Sequence, residues 1–271
     1  MTKVSSALLK RRLDIAEIVR KKGEVKVDEL SYMLQVSTVT IRQDLTYLEH
    51  QGYLKRSFGG AIYLSPEASI NKNNLTNANY SSFIDDRNNI DLVKNCLNYI
   101  NDGDTIFLSH GRLTRKLIPY LYSKRSLTII MNDLNNAQLA KEFTDANIIL
   151  IGGMLLEGNI LQNNGIDPIL NDYQISHFII ELCAINNNNQ LIIEDFEQIN
   201  AYQQVTKKAH HIIGILPQRG ICNDDHSIGK LKNLDVVILS RPAVTEYHQQ
   251  LLDSNFRQFA ANKFSVTYQM T

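Results

Sequence analysis

Apolar positions in the first 64 residues recur at helical spacing in three successive stretches. Leu8, Leu9, Ile15, Ile18 and Val19 make one face, and Gly23 stands where that helix would close. Leu30, Met33 and Leu34 predict a second helix over Val27 to Leu34, with Asp28 and Glu29 suited to its first turn. Val36-Ser37 reads as a tight turn, with Ser37 as an N-cap. A third helix follows from about Thr38 to Gln51, buried along Ile41, Leu45 and Leu48 and stopped by Gly52. Tyr53 to Phe58 then reads as a strand, Gly59-Gly60 as a turn, and Ala61 to Leu64 as the return strand.

Residues 65–82 break this patterning. Pro66 and the run of Asn71, Asn73, Asn74, Asn77 and Asn79 suit a linker. Beyond it, apolar runs alternate with helical ones. Helices are predicted over Asp91 to Ile100, Leu113 to Tyr122 and Leu134 to Phe143. Strands are predicted over Thr105 to Leu108, Leu127 to Met131, Asn147 to Ile151, His177 to Ile180, Ile212 to Leu216 and Val236 to Leu239, the last strong one. The class is α/β, with a mostly parallel sheet covered on both faces. The expected organisation is 1–64, a linker over 65–82, and an α/β domain over 83–271. Ligands of such sheets sit at the carboxyl ends of strands. That points to the loops Ser109–Thr114, Met131–Asn135, Gly152–Glu157 and Pro217–Gly220.

The hydrophobic fraction of 44% is enough for packed cores. Cys96, Cys183 and Cys222 are far apart and match no metal or disulfide spacing, so they are expected to be idle thiols. No metal and no cofactor is predicted. The chain lacks a secretory signal pattern and any apolar run of the roughly 20 residues needed to cross a bilayer. A soluble, cytoplasmic protein with no membrane contact is expected. Net charge is zero, yet residues 1–64 hold 11 Lys/Arg against 7 Asp/Glu, an excess of +4 balanced by −4 elsewhere.

Three helices and a hairpin in so short a segment make a winged helix-turn-helix. Thr38, Thr40, Arg42 and Gln43 lie off the apolar stripe of the third helix, free to meet phosphates or base edges in a major groove. Lys55 and Arg56 on the hairpin can grip the neighbouring backbone. Asp44 would repel phosphate, so it is expected to pair with a basic residue near Arg42 or on the wing. A protein-binding winged helix is the alternative reading.

The stretch from Val36 to Leu45, followed by Leu48-Glu49 and Gly52, resembles the DeoR family of bacterial repressors, whose pattern is V-S-x-x-T-I-R-x-D-L-x-x-L-E-x-x-G. The family's L-x-R-x-H-G-G-A wing appears as Leu54 to Ala61, with Phe58 for the histidine. Gln43 stands for a frequent second arginine. The resemblance places Ser37, Thr38, Thr40, Arg42 and Gln43 on the recognition helix. The remainder resembles the family's effector domain, itself similar to ribose-5-phosphate isomerase and CoA-transferase folds. Asp102 to Leu108, Gly111, Asn132, Gly152-Gly153, Lys207 and Arg219 match its pattern.

What the resemblance implies is a DNA-binding regulator, a repressor of a carbohydrate-metabolism operon controlled by a sugar-phosphate-like effector. Dimers or tetramers would meet a double-stranded operator. The expected effector residues are His110, Gly111, Arg112, Thr114, Asn132, Gly152, Gly153, Lys207 and Arg219. Several family donors are missing, however. Arg112-Leu113 stands for a Ser/Thr pair, Met131 for a threonine, and Leu239-Ser240 for a T-D pair. An atypical effector held by Gly111, Arg112, Thr114 and Asn132 is one outcome, with His110 assisting. A domain that only oligomerises is the other. Catalysis, with Asp102, Asp104 or Glu181 as base, is disfavoured, because the two aspartates precede a strand at the end away from the ligand loops.

Overall fold

The computed structural model describes residues 6–50, 53–63, 87–162, 169–217 and 222–271. Contacts divide the chain into two units, Met1–Arg87 and Asn88–Thr271. The expected linker over 65–82, the stop at Gly52 and Arg219 all lie outside the described residues.

In the first unit, α1 spans Ser6–Lys22, α2 Val27–Leu34 and α3 Thr38–His50. Gly23, at φ +82°, donates its N–H to Val19 O at 2.8 Å and so closes α1. Ile15, Val19, Leu30, Ile41, Leu45, Leu48 and Leu54 are fully buried and form the core. The wing has three strands rather than the two expected. They are β1 (Glu24–Lys26), β2 (Lys55–Ser57) and β3 (Gly60–Ile62), in the order β1-β3-β2. β1 alternates around one buried residue, Val25, and is too short to show a period of two. It passes so close to Gly60 that a Cβ there would strike the Val25 carbonyl oxygen.

The second unit carries β4 (Thr105–Leu108), β5 (Thr128–Met131), β6 (Asn147–Leu150), β7 (Met154–Leu155) and β8 (Leu161–Gln162). They are followed by β9 (His177–Glu181), β10 (Ala184–Ile185), β11 (Gln190–Ile192), β12 (His211–Leu216) and β13 (Ser227–Lys230). β14 (Val236–Ser240), β15 (Phe256–Ala261) and β16 (Ser265–Met270) complete the strands. The main sheet is ordered β15-β16-β14-β12-β9-β4-β5-β6. From β14 to β6 all neighbours are parallel, whereas β15, β16 and β14 pair antiparallel. The class is therefore α/β with a mostly parallel sheet. The terminal hairpin is an addition to the expected set: β15 alternates little and is mostly exposed. β10, β11 and β13 form a separate antiparallel sheet.

The helices of this unit are α4 (Arg87–Lys94), α5 (Arg112–Leu117), α6 (Leu134–Phe143), α7 (Ile169–Asp172), α8 (Ile199–Lys208) and α9 (Arg241–Asp253). The helix expected over Leu113 to Tyr122 tightens to a 3-10 turn from Ile118, next to Pro119, which has no N–H to donate. Phe107, Phe178 and Tyr202 stack edge-on or tilted in the core, with centroids 5.4–6.2 Å apart.

Candidate DNA interface and sensor cavity

The start of α3 is fixed by its cap. Ser37 Oγ accepts the Thr40 N–H at 3.2 Å and lies 2.9 Å from the Thr40 hydroxyl. With Ile41, Leu45 and Leu48 turned inward, Arg42 and Gln43 are exposed and Thr38 and Thr40 half-buried. Val39, 60% exposed, was not anticipated and sits three and four residues from Arg42 and Gln43, on their side of the helix. A small apolar group there can touch a thymine methyl.

Asp44 pairs elsewhere than expected. It is buried, and its oxygens accept from Arg11 Nε at 2.6 Å and Arg12 Nε at 3.1 Å. Arg12 also lies over the Tyr47 ring, 3.5 Å from its centroid. The reason is helical phase. Residue 44 falls on the inward side of α3 with Ile41, Leu45 and Leu48, where Arg11 and Arg12 of α1 reach it. The charge count is recast as well. Arg11 and Arg12 serve Asp44, Arg20 and Lys21 lie beside Glu17, and Lys22 binds Glu29. Among the described residues, the side chains of Arg42 and Lys55 have no such partner. Arg56 is exposed but moored. Its Nη1 donates to Thr46 Oγ1 at 3.0 Å, and its backbone N–H to Glu49 Oε1 at 2.8 Å. These bonds fix the wing against α3. Phe58, fully exposed, tips the hairpin.

A cavity of about 400 Å³ lies at the carboxyl ends of the parallel strands. His110, Gly111 and Arg112 enter it after β4, Glu181 to Cys183 at and after β9, and Pro217 after β12. Ile193 to Asp195 and Tyr202 complete the wall. His110 donates its N–H to Tyr202 Oη at 2.8 Å, and its ring contacts Asp195 through Nε2 and lies 3.8 Å from Asp133 through Nδ1. Burial alone would lower its pKa, but the bonds to Asp133 and Asp195 prevail and raise it to about 9. The hydrogen bond from His110 holds Asp195 below the usual range. Burial pushes the Glu181 carboxyl and the Tyr202 phenol up.

Of the expected effector residues, His110, Gly111 and Arg112 meet at this cavity. Thr114 is buried and donates its hydroxyl to Gly111 O at 3.1 Å. Asn132, also buried, donates to Leu161 O at 3.2 Å and to Gln198 Oε1. Gly152 and Gly153 lie exposed between β6 and β7, and Lys207 is exposed in the last turn of α8. None of these five lines the cavity. Three carboxylates among the described residues line it. Glu181 was named in the sequence only as a disfavoured base, and Glu194 and Asp195 escaped it because they arrive from a distant loop, Asp195 85 residues beyond His110. Asp133 left a fainter signal, as an N-cap whose side chain accepts the Asn136 N–H at 2.9 Å.

Two further expectations change. Cys183 and Cys222 form a disulfide, while Cys96 is a buried thiol. Their separation of 39 residues concealed the pairing, which arises because they follow adjacent parallel strands, β9 and β12. The disfavoured bases Asp102 and Asp104 accept backbone N–H groups, from Arg125 at 2.9 Å and Asn101 at 2.7 Å. Among the described residues, no group of three or more His, Cys, Asp or Glu side chains suits a metal ion. No helix among them is long and apolar enough to cross a membrane.

Comparison with known proteins follows the same division. Residues 11–67 match the DeoR-like helix-turn-helix domain, and residues 88–241 match the DeoR C terminal sensor domain. The glycerol-3-phosphate regulon repressor of Escherichia coli (strain K12) is 24% identical over 250 residues, covering 91% of this chain and 96% of that protein. The lactose phosphotransferase system repressor of Staphylococcus epidermidis is 37% identical over 145 residues, 52% of this chain and 56% of that one. The solved full-length sorbitol operon regulator SorC from Klebsiella pneumoniae aligns at TM-score 0.38 and 12% identity, over 90% of this chain and 98% of that one.

Proposed function

The chain belongs to the DeoR family, and from that premise we propose that it is a transcriptional repressor of a carbohydrate-metabolism operon, with a sugar-derived effector bound in the second unit. The observation that carries the DNA-binding half is the exposed side of α3, where Arg42, Gln43 and Val39 stand clear of the core and Arg42 has no internal partner among the described residues. Ser37, Thr38 and Thr40 frame the helix start, where backbone N–H groups favour a phosphate. Arg42 and Gln43 read base edges, and Lys55 and Arg56 hold the backbone beside them. The relatives are named as repressors of a glycerol-3-phosphate regulon and of a lactose phosphotransferase system, which supports a carbohydrate operon.

One winged helix buries little surface, so homo-oligomers presenting paired wings to repeated half-sites complete the reading. The site of action is the cytoplasm, where the operator is. The 400 Å³ cavity at the strand ends favours an effector-responsive domain over one that only oligomerises. His110, Gly111 and Arg112 are the effector residues we retain at that cavity, and the role is regulatory, not catalytic. Gel retardation on the DNA upstream of the chain's own gene and its neighbours tests the proposal. Salt-sensitive retardation that a sugar or sugar phosphate relieves is expected. Equal affinity for every sequence would overturn it.

A further inference from the structure

The turn before α5 is built as an anion cradle would be, yet it is already occupied. A glycine leading into the first turn of a helix leaves backbone N–H groups facing outward, and such groups favour negative charge. Here the Leu113 N–H is donated to Glu181 Oε2 at 2.7 Å. Gly111 has φ +148°, and a Cβ on it would collide with the same carboxylate. Only glycine therefore admits Glu181 to this place. Leu113 supplies the one hydrogen bond to the Glu181 side chain among the described residues, so acceptor capacity remains towards the cavity.

The charges around it are mixed and largely paired. Glu194 and Asp195 line the cavity beside Glu181. The positive charge of His110 is met by Asp195 and Asp133. Arg112 lines the same cavity as the two remaining carboxylates, Glu181 and Glu194, and its charge acts on Glu181. A phosphate entering here would have to expel Glu181 from the Leu113 N–H and then sit beside Glu181 and Glu194. A hydroxyl or an ammonium group meets an acceptor instead.

Resting on the reading of this unit as a sensor, we infer that its effector is an unphosphorylated sugar derivative, an amino sugar or polyol, whose donor group binds Glu181. The chain's own carboxylate takes the place that a phosphate would otherwise fill.

Titration calorimetry of the full chain with inorganic phosphate, glucose 6-phosphate, glucosamine and sorbitol tests this. The wild type should give heat with glucosamine or sorbitol and none with the two phosphates. Glu181→Gln, nearly isosteric, should weaken glucosamine binding about tenfold or more, as expected when a charged hydrogen-bond acceptor becomes neutral. Glu181→Ala, which frees the Leu113 N–H, should gain binding of inorganic phosphate. Melting curves establish that each variant is folded, and the Gln variant serves if the Ala variant is not. Tighter binding of glucose 6-phosphate than of glucosamine or sorbitol by the wild type overturns the inference, as does silence towards all four probes. Retardation of operator DNA by the same samples without effector is a separate readout, so the repressor proposal can survive that failure or fall alone.

Discussion

The DNA-reading face and the sensor cavity use cations in opposite ways. On α3, Arg42 is exposed and unpaired among the described residues, while the arginines facing the core, Arg11 and Arg12, are tied to Asp44. In the cavity, His110 is held between Asp133 and Asp195, and a carboxylate occupies the turn before α5. A surface for a polyanion keeps its charge available. A cavity with largely paired charge leaves hydrogen bonding and shape as the proposed means of selection. The two units also differ in covalent support, because only the second has a disulfide among the described residues.

That last difference gives the largest expected effect. Closing a loop of 39 residues stabilises by about 4 kcal/mol in the chain-entropy account. Reductant should therefore lower the calorimetric transition of the second unit by many degrees and leave that of the first unchanged. Cys183→Ser should abolish this response, and a reductant-insensitive transition would remove the distinction. Next is Asp44→Asn, which takes the charged partner from Arg11 and Arg12. A loss of about 2 kcal/mol is expected, confined to the first unit and read by urea unfolding. No change would mean that the inward arginines are as uncommitted as Arg42.

Arg42→Ala should weaken operator binding roughly 5- to 150-fold with the melting temperature unchanged, because the proposed role gives it a base contact of about 1–3 kcal/mol and it makes no internal one among the described residues. Unchanged retardation would take Arg42 off the interface. His110 offers a pH test. Its folded pKa, about 9, lies above the unfolded value, so its stabilisation is complete below about pH 6.5 and is lost as pH rises through 9. The melting temperature of the second unit should fall by a few degrees across that window, and His110→Gln should flatten the fall. The smallest effect belongs to Lys55→Ala. It should weaken binding to all sequences alike and reduce the salt slope by about one. A sequence-selective loss would show that the wing reads bases.

The two regions were unequally legible. α2 was readable to the residue and α3 nearly so, because apolar spacing, the Ser37 cap and Gly23 are local signals. The strand β1 was not, since three residues cannot display alternation. The partner of Asp44 was misplaced although its phase beside Ile41 and Leu48 was available. In the second unit the strands of the parallel sheet were clear as continuous apolar runs, and Gly111 and Arg112 as the residues at one strand end. Asn132 matches a family pattern in sequence and Thr114 stands just beyond the replaced Ser/Thr pair, but both point their polar groups into the protein.

The sequence alone determined that a three-helix unit with a wing precedes an α/β unit, and which side of α3 faces outward, because hydrophobic periodicity and capping act over a few residues. Only the tertiary structure decided which charges are free. Asp195 reaches His110 across 85 positions, Glu181 reaches the Leu113 N–H across 68, and Cys183 reaches Cys222 across 39. Those meetings depend on the order of strands in a sheet, which brings distant loops to one edge and leaves no period in the chain.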